Sequence, residues 1–230
     1  MPPTSLPLQA VPATKRERRK EARPGELLEA ALDLFVEKGF AATRVDEVAA
    51  RAGVSKGTLF LYFPSKEELF KAVVRENIAG RFEEWNTELE TFVGTTSDVL
   101  RACYKVWWER IGCTKASGIT KLMLSEAQNF PEIAQFYQQE VMLPGQSLVR
   151  RILERGIARG EFRAINLDYA VYLVLAPMIF LVMWKHSMGA CVPDAQNLAP
   201  EAYIDTQVDN ILNGLCVRPT EPPPSSPLSA

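Results

Sequence analysis

The segment from Thr43 to Leu69, TRVDEVAARAGVSKGTLFLYFPSKEEL, constrains the fold more than any other part of the chain. Val45, Val48, Ala49 and Ala52 recur at helical spacing, and Thr43 offers a hydroxyl where that helix would start. The spacing predicts an end at Gly53. Ser55 can then cap a second short helix, Lys56 to Phe63, with Leu59 and Phe63 turned one way and Lys56, Thr58 and Tyr62 outward. Two short helices across a glycine turn make a helix-turn-helix.

The second of these helices has the chemistry of a nucleic-acid contact. Gly57 lets backbone approach a partner, Ser55, Thr58 and Tyr62 carry hydroxyls suited to phosphates or base edges, and Lys56 and Lys66 add positive charge at either end. Spacing alone leaves a second reading open, an ordinary helical hairpin whose polar residues face solvent.

The run Ala49-Ala50-Arg51-Ala52-Gly53-Val54-Ser55-Lys56-Gly57-Thr58-Leu59, followed by an aromatic stretch and then Phe63-Pro64-Ser65-Lys66-Glu67-Glu68-Leu69, resembles the DNA-binding domain of the TetR family of transcriptional regulators. The resemblance covers Glu26 to about Val74. It implies an all-α protein: a small N-terminal helix-turn-helix domain of three helices, a connecting helix, and a C-terminal helical bundle, about nine helices in total. It also implies a homodimer on double-stranded DNA with a palindromic operator, and a small-molecule effector, expected here to be apolar or aromatic, that releases it. The expected DNA-binding residues are Thr43, Arg44, Ser55, Lys56, Gly57, Thr58, Tyr62 and Lys66. Phe60 and Leu61 stand where many members carry tyrosines, and Tyr62 where many carry a histidine. Phosphate contacts are therefore expected to rest on Tyr62, Lys66 and the Thr43-Arg44 corner, with Phe60 confined to packing.

Charge agrees with a divided chain. The net charge of −2 is unlike that of a basic DNA-coating protein, so any DNA affinity must come from a local patch. Residues 15–72 carry a balance of +2 and residues 73–230 a balance of −4, which separates a DNA-reading end from a body with another task. The expected divisions are a basic, disordered arm over residues 1–23, the DNA-binding domain over 24–72, a ligand-binding and dimerisation domain over 73–217, and a disordered tail over 218–230. Within the arm, Lys15 to Arg23 reads either as a solvated helical extension or as a segment lying along DNA phosphates.

From Pro24, Leu27, Leu28, Ala31, Leu34 and Phe35 predict a helix ending at Gly39. Ser65 caps a fourth helix whose apolar face runs through Leu69, Phe70, Val73, Val74, Ile78, Phe82 and Trp85. Beyond it, helices are expected at about 97–112, 115–129, 131–159, 166–188 and 200–215. Trp107, Trp108, Met123, Phe136, Tyr137, Tyr172, Met183, Trp184 and His186 are the candidates for an effector pocket, since bundles place such sites between helices. Each taken singly reads as plain core. Tyr169 to Trp184 is apolar nearly all round, and Ala202, Ile204, Val208, Ile211, Leu212 and Leu215 form a second stripe, which invites a partner subunit.

Other function classes find little support. There is no GxSxG, HExxH or phosphate-binding glycine loop, and one histidine in all, so an enzyme is not expected. Cys103, Cys113, Cys191 and Cys216 form no CxxC pair and read as reduced core thiols, so no metal or other cofactor is expected. No apolar run is expected to span a membrane, because Ala170 to Trp184 contains Tyr172 and Pro177 and stops at Lys185. The N-terminus lacks the pattern of a secretion signal, and the expected location is the cytoplasm.

Overall fold

A computed structural model describes residues 15–191 and 198–217; the expected tail and the first part of the arm lie outside the described residues. The chain divides into two compact units between Val73 and Val74, inside a helix.

The first unit contains α1 (Lys15–Ala42), α2 (Val45–Arg51), α3 (Lys56–Tyr62) and the start of α4 (Lys66–Asn77). Helix α1 begins before Pro24, not at it, because the preceding stretch is rich in helix-forming Lys, Arg, Glu and Ala. It breaks at Gly39, whose φ of 84° is open to glycine. Phe35, Phe40 and Phe70, all fully or almost fully buried, meet with ring centroids 5.1–5.7 Å apart and tie α1 to α4. Each such pair adds about 0.5–1.5 kcal/mol beyond area burial. Leu59 of α3 and Val48 and Ala49 of α2 complete this core.

Helix α2 closes on Gly53 in a left-handed conformation, φ 66°, with Val54 N–H donating to Ala49 O at 2.9 Å. Thr43 does not cap α2, contrary to expectation. Its hydroxyl donates instead to Gly39 O at 2.7 Å and Leu34 O at 3.1 Å, closing the broken end of α1.

The second unit holds the rest of α4, α5 (Phe82–Thr91), α6 (Thr96–Trp107), α7 (Ser117–Glu126), α8 (Pro131–Tyr137), α9 (Leu143–Ala158), α10 (Leu167–His186) and α11 (Pro200–Leu215). A 3₁₀ turn at Ala79–Arg81 separates α4 from α5, and a π turn at Gln138–Met142 joins α8 to α9. With each of those pairs taken as one run, the described residues hold nine helices. A second π turn, Trp108–Gly112, extends α6. Among the described residues the one departure from helix and loop is an isolated antiparallel bridge between Phe162 and Cys216.

Helix α6 packs on α9 and α11, and α10 packs on α7, α9 and α11. Leu100, Tyr104, Ile152, Leu153, Val174 and Leu181 form the middle of this core. Tyr104 OH donates to Val174 O, which lets a tyrosine sit there with its hydroxyl satisfied. At Gly156 a Cβ would come within 2.2 Å of the Phe162 ring, so glycine is what lets that ring close over the end of α9.

Helix α10 corrects one expectation. Leu167–Cys191 has mean hydropathy 1.9 over its most apolar window and is long and apolar enough to cross a membrane by those two criteria. A third of that window is buried in its own bundle. The remaining apolar surface runs as Tyr169, Tyr172, Leu173, Ile179 and Phe180, a one-sided exposed stripe. The stripe expected on α11 splits: Ile204, Val208, Leu212 and Leu215 turn into the bundle, while Ala202, Asp205, Thr206 and Asp209 face out.

Candidate functional site

Helix α3 is anchored at its N-terminus and at its middle. Ser55 Oγ accepts from Thr58 N–H at 3.1 Å and lies 2.9 Å from Thr58 Oγ1, so both hydroxyls are engaged in the cap. Leu59, with no exposed surface, fixes the helix to the domain and contributes about 1.5–3 kcal/mol by its burial.

With Leu59 inward, the outward residues are Lys56, Gly57, Phe60 and Leu61. Thr58 and Tyr62, expected outward, are half-buried on the flanks. Leu61 is 85% exposed, an unusual state for a leucine in a folded helix, and Phe60 is 39% exposed with the Lys56 ammonium 5.9 Å from its ring centre. Phe60 is thus not confined to packing, contrary to expectation. The exposure of Leu61 is legible in the sequence: a helical wheel centred on Leu59 sets Gly57 and Leu61 nearly opposite.

The cations divide into two kinds. Lys56 Nζ lies 2.7 Å from Asp46 Oδ1, and Arg44 lies 3.7 Å from the same carboxylate; all three are exposed. The Lys56 ammonium beside Asp46 holds its carboxyl below the usual range. Lys66 is different. Its Nζ donates to the carbonyls of Phe40 at 2.8 Å, Thr43 at 3.2 Å and Ala41 at 3.3 Å, so it serves as a clasp on the end of α1, not as a free phosphate ligand. Thr43, 2% exposed with its hydroxyl turned inward, is likewise removed from side-chain contact with DNA.

In the second unit the aromatic candidates do not share one lining. Met123, Phe136 and Tyr137 are buried, and Tyr137 OH lies 2.9 Å from Thr120 Oγ1; burial pushes its phenol up to about 12. Trp107 and Trp108 stand with ring centroids 6.0 Å apart, and Trp108 Nε1–H donates to Glu201. Met183 is half-buried, and Trp184 stacks on Phe180, one turn before it, with centroids 6.2 Å apart. Tyr172 is 55% exposed and lines a shallow groove with Leu143, Gln146 and Arg150, so it leaves the expected pocket.

His186 is also reassigned. Its Nε2 lies 2.8 Å from Ser117 Oγ, and the neighbouring Lys185 ammonium donates to Gly112 O at 2.9 Å and Thr114 O at 2.8 Å. Burial, then the charges of Lys185 and Lys121, pull the imidazole down to about 4, so it is a neutral structural histidine. Cys103 is half-buried, and desolvation pushes its thiol up to about 11, while Cys113 and Cys191 are exposed.

An all-α protein with a capped, outward-facing helix after a glycine turn belongs to the helix-turn-helix class. Residues 27–73 match the family described as bacterial regulatory proteins, tetR family, and residues 94–191 match the tetracyclin repressor-like C-terminal domain. The chain belongs to the TetR family. It is 44% identical over 78 residues to the HTH-type transcriptional regulator RutR of Escherichia coli K12, a match spanning 34% of this chain and 35% of that protein. The chain thus matches about a third of the length of that relative. It is 25% identical to the HTH-type transcriptional repressor KstR2 of Rhodococcus jostii over 84% of this chain and 92% of the other. The fold is similar to a putative transcriptional regulator from Saccharomonospora viridis solved in complex with choline, with TM-score 0.70, 20% identity, and coverage of 86% of this chain and all of that one.

Proposed function

We propose that the protein is a homodimeric transcriptional regulator that occupies a palindromic operator and is released from it by a small organic effector held in the second unit. The observation that carries this reading is the outer face of α3, where Lys56, Gly57, Phe60 and Leu61 are offered to a partner by a helix otherwise fixed by Leu59 and the Ser55 cap. Arg44 and Lys56 supply local positive charge for phosphates, and an electrically near-neutral chain needs such a patch. The HTH-type regulators RutR and KstR2 support the same class of activity, and a regulator of this kind would work in the cytoplasm.

One seven-residue helix reads few bases, so specificity requires two copies. The exposed stripe of α10 supports a two-fold partner: Tyr169, Tyr172, Leu173 and Phe180 lie at helical spacing on one face and would otherwise leave large apolar side chains in water. Two recognition helices about 34–36 Å apart then meet successive major grooves. An effector that prefers a different spacing lowers operator affinity by shifting the population, and operator lowers effector affinity by the same factor.

The test is a genomic footprint repeated at rising salt. One protected palindrome is the expected result. Continuous coverage would instead favour a DNA-coating role, and no protection at low ionic strength would end the regulatory reading.

A further inference from the structure

The surroundings of α5 contain charge that is almost entirely accounted for. Arg110, on the π turn after α6, donates to Glu84 and Glu88 of α5, at 2.9 Å each. Glu140, on the other π turn, accepts from Arg75 of α4 at 3.3 Å, and the Arg75 guanidinium lies 4.9 Å from the ring centre of Phe136. Arg151 reaches Asn86 at 2.6 Å and Glu90 at 2.9 Å. Four buried side-chain atoms of the described residues stand outside such pairing, Thr96 Oγ1 and Arg155 Nη1 beyond the far end of α5 and two more at its start. Arg81 Nε and Trp85 Nε1 are buried with no hydrogen-bond acceptor among the described residues.

These two donors are four residues apart across the start of α5, which puts them on one helix face. Between them Phe82 meets the Trp85 indole edge-on at 5.3 Å. A buried N–H without an acceptor is costly, more so on a charged group, so a pair of them on one face marks a place where an acceptor belongs. The acceptor must also balance a guanidinium. The carboxylates of Glu84, Glu88 and Glu140 are held by other arginines, and among the described residues Arg81 has no ion pair. Arg81 is half-buried and its guanidinium is not sealed from water, but a carboxylate complements its charge better than a neutral carbonyl does, and a cationic ligand is repelled.

We infer that the effector is an organic acid. Its carboxylate accepts from Arg81 Nε–H and Trp85 Nε1–H, and its apolar body lies toward Phe82 and Phe136. This rests on the proposed reading of the second unit as an effector domain. It adds a class of ligand and two residues that the aromatic pattern alone did not single out. Because both π turns bond to α4 or α5, through Arg110 and Glu140, a ligand on this face bears on segments that already depart from regular helix.

The experiment uses matched probes on the full chain: decanoate against decan-1-ol, 4-phenylbutyrate against 4-phenylbutan-1-ol, and choline as a cation. Thermal shift and calorimetry are expected to show each acid binding about tenfold or more tighter than its alcohol, as a charge-assisted hydrogen bond present only with the acid requires. Arg81→Gln and the milder Trp85→Phe should each remove most of that preference. In ¹⁵N-labelled protein the indole resonance assigned by Trp85→Phe should move downfield with the acids and stay in place with the alcohols. Equal binding of acid and alcohol, no binding of either acid, a choline response in their place, or an unmoved indole signal overturns the inference. Operator binding by the ligand-free protein is measured alongside. Its absence would indict the regulatory reading itself, whereas intact operator binding with no acid preference removes only the organic acid.

Discussion

Lys66 Nζ donates to the carbonyl of Phe40 at 2.8 Å while lying 4.4 Å from the centre of that residue's own ring. One ammonium thereby holds both the backbone and the side chain that end α1, with Thr43 O as a further acceptor. Lys66→Met should therefore lower the stability of the DNA-binding domain by about 1–2 kcal/mol, measured by urea unfolding, because two part-buried carbonyls lose their donor. The salt dependence of operator binding should be unchanged. Lys56→Ala is expected to do the reverse. Its ammonium is exposed, paired with the exposed Asp46 and set over the exposed Phe60 ring, so stability should hold while the slope of log affinity against log salt falls by about 0.9 for each phosphate no longer neutralised. A slope that responds to Lys66 and not to Lys56 would exchange their roles.

Leu61 is the most exposed large side chain of α3, and its chemistry suits the thymine methyl group in the major groove. Leu61→Ala should weaken operator binding by about 1 kcal/mol per half-site while leaving non-specific binding intact. Replacing thymines of the half-site by uracil, one at a time, should find a position that weakens the wild type and is silent in Leu61→Ala. That coupling is what direct contact between the two groups produces. If every uracil substitution costs the variant as much as the wild type, Leu61 reads no methyl group.

Much of this architecture is legible in the residues themselves, because local signals agree with the fold. Ser55, Ser65 and Asn166 each cap the helix they precede, with Asn166 Oδ1 accepting from Asp168 N–H at 3.0 Å. What is hidden depends on groups distant in sequence. The apolar spacing from Leu69 to Trp85 runs unbroken through the 3₁₀ turn at Ala79–Arg81, since a single tightened turn barely disturbs a period of 3.6. The π turns are hidden for the same reason. Thr43 and Lys66 look like surface contacts by composition, and only the broken end of α1, 23 or more residues from Lys66, turns them inward. The aromatic candidates failed to converge because bulk at helical spacing reports burial and not the identity of the neighbour.

The His186 imidazole gives the folded protein a defined response to acid. Its folded value, about 4, lies below the ordinary histidine value near 6.5, so the native state favours the neutral ring. The stabilisation is fully present above about pH 6.5 and is lost as the pH falls from there toward about 4, because the unfolded chain takes up the proton first. Unfolding free energies of wild type and His186→Gln, measured from pH 7.5 to 4.5, should differ most at neutral pH and converge on acidification. Parallel curves would mean that burial and the charges of Lys185 and Lys121 do not hold the ring neutral.

The stripe on α10 sets the last expectation. Leu173 is 67% exposed and sits between Tyr169 and Tyr172 on one side and Phe180 on the other. In a two-fold pairing of this face each Leu173 approaches its counterpart region, so Leu173→Glu introduces a charge where water is excluded and sets like charges near each other. The variant should elute as a monomer in gel filtration with unchanged far-ultraviolet circular dichroism, since most of the side chain lies outside its own bundle. Operator affinity should fall far more than for any substitution on α3, because a monomer offers one recognition helix and forfeits the gain of reading two half-sites together. A Leu173→Glu protein that remains dimeric would move the partner surface elsewhere, and the outer face of α11, polar as it is, would then have to carry it alone.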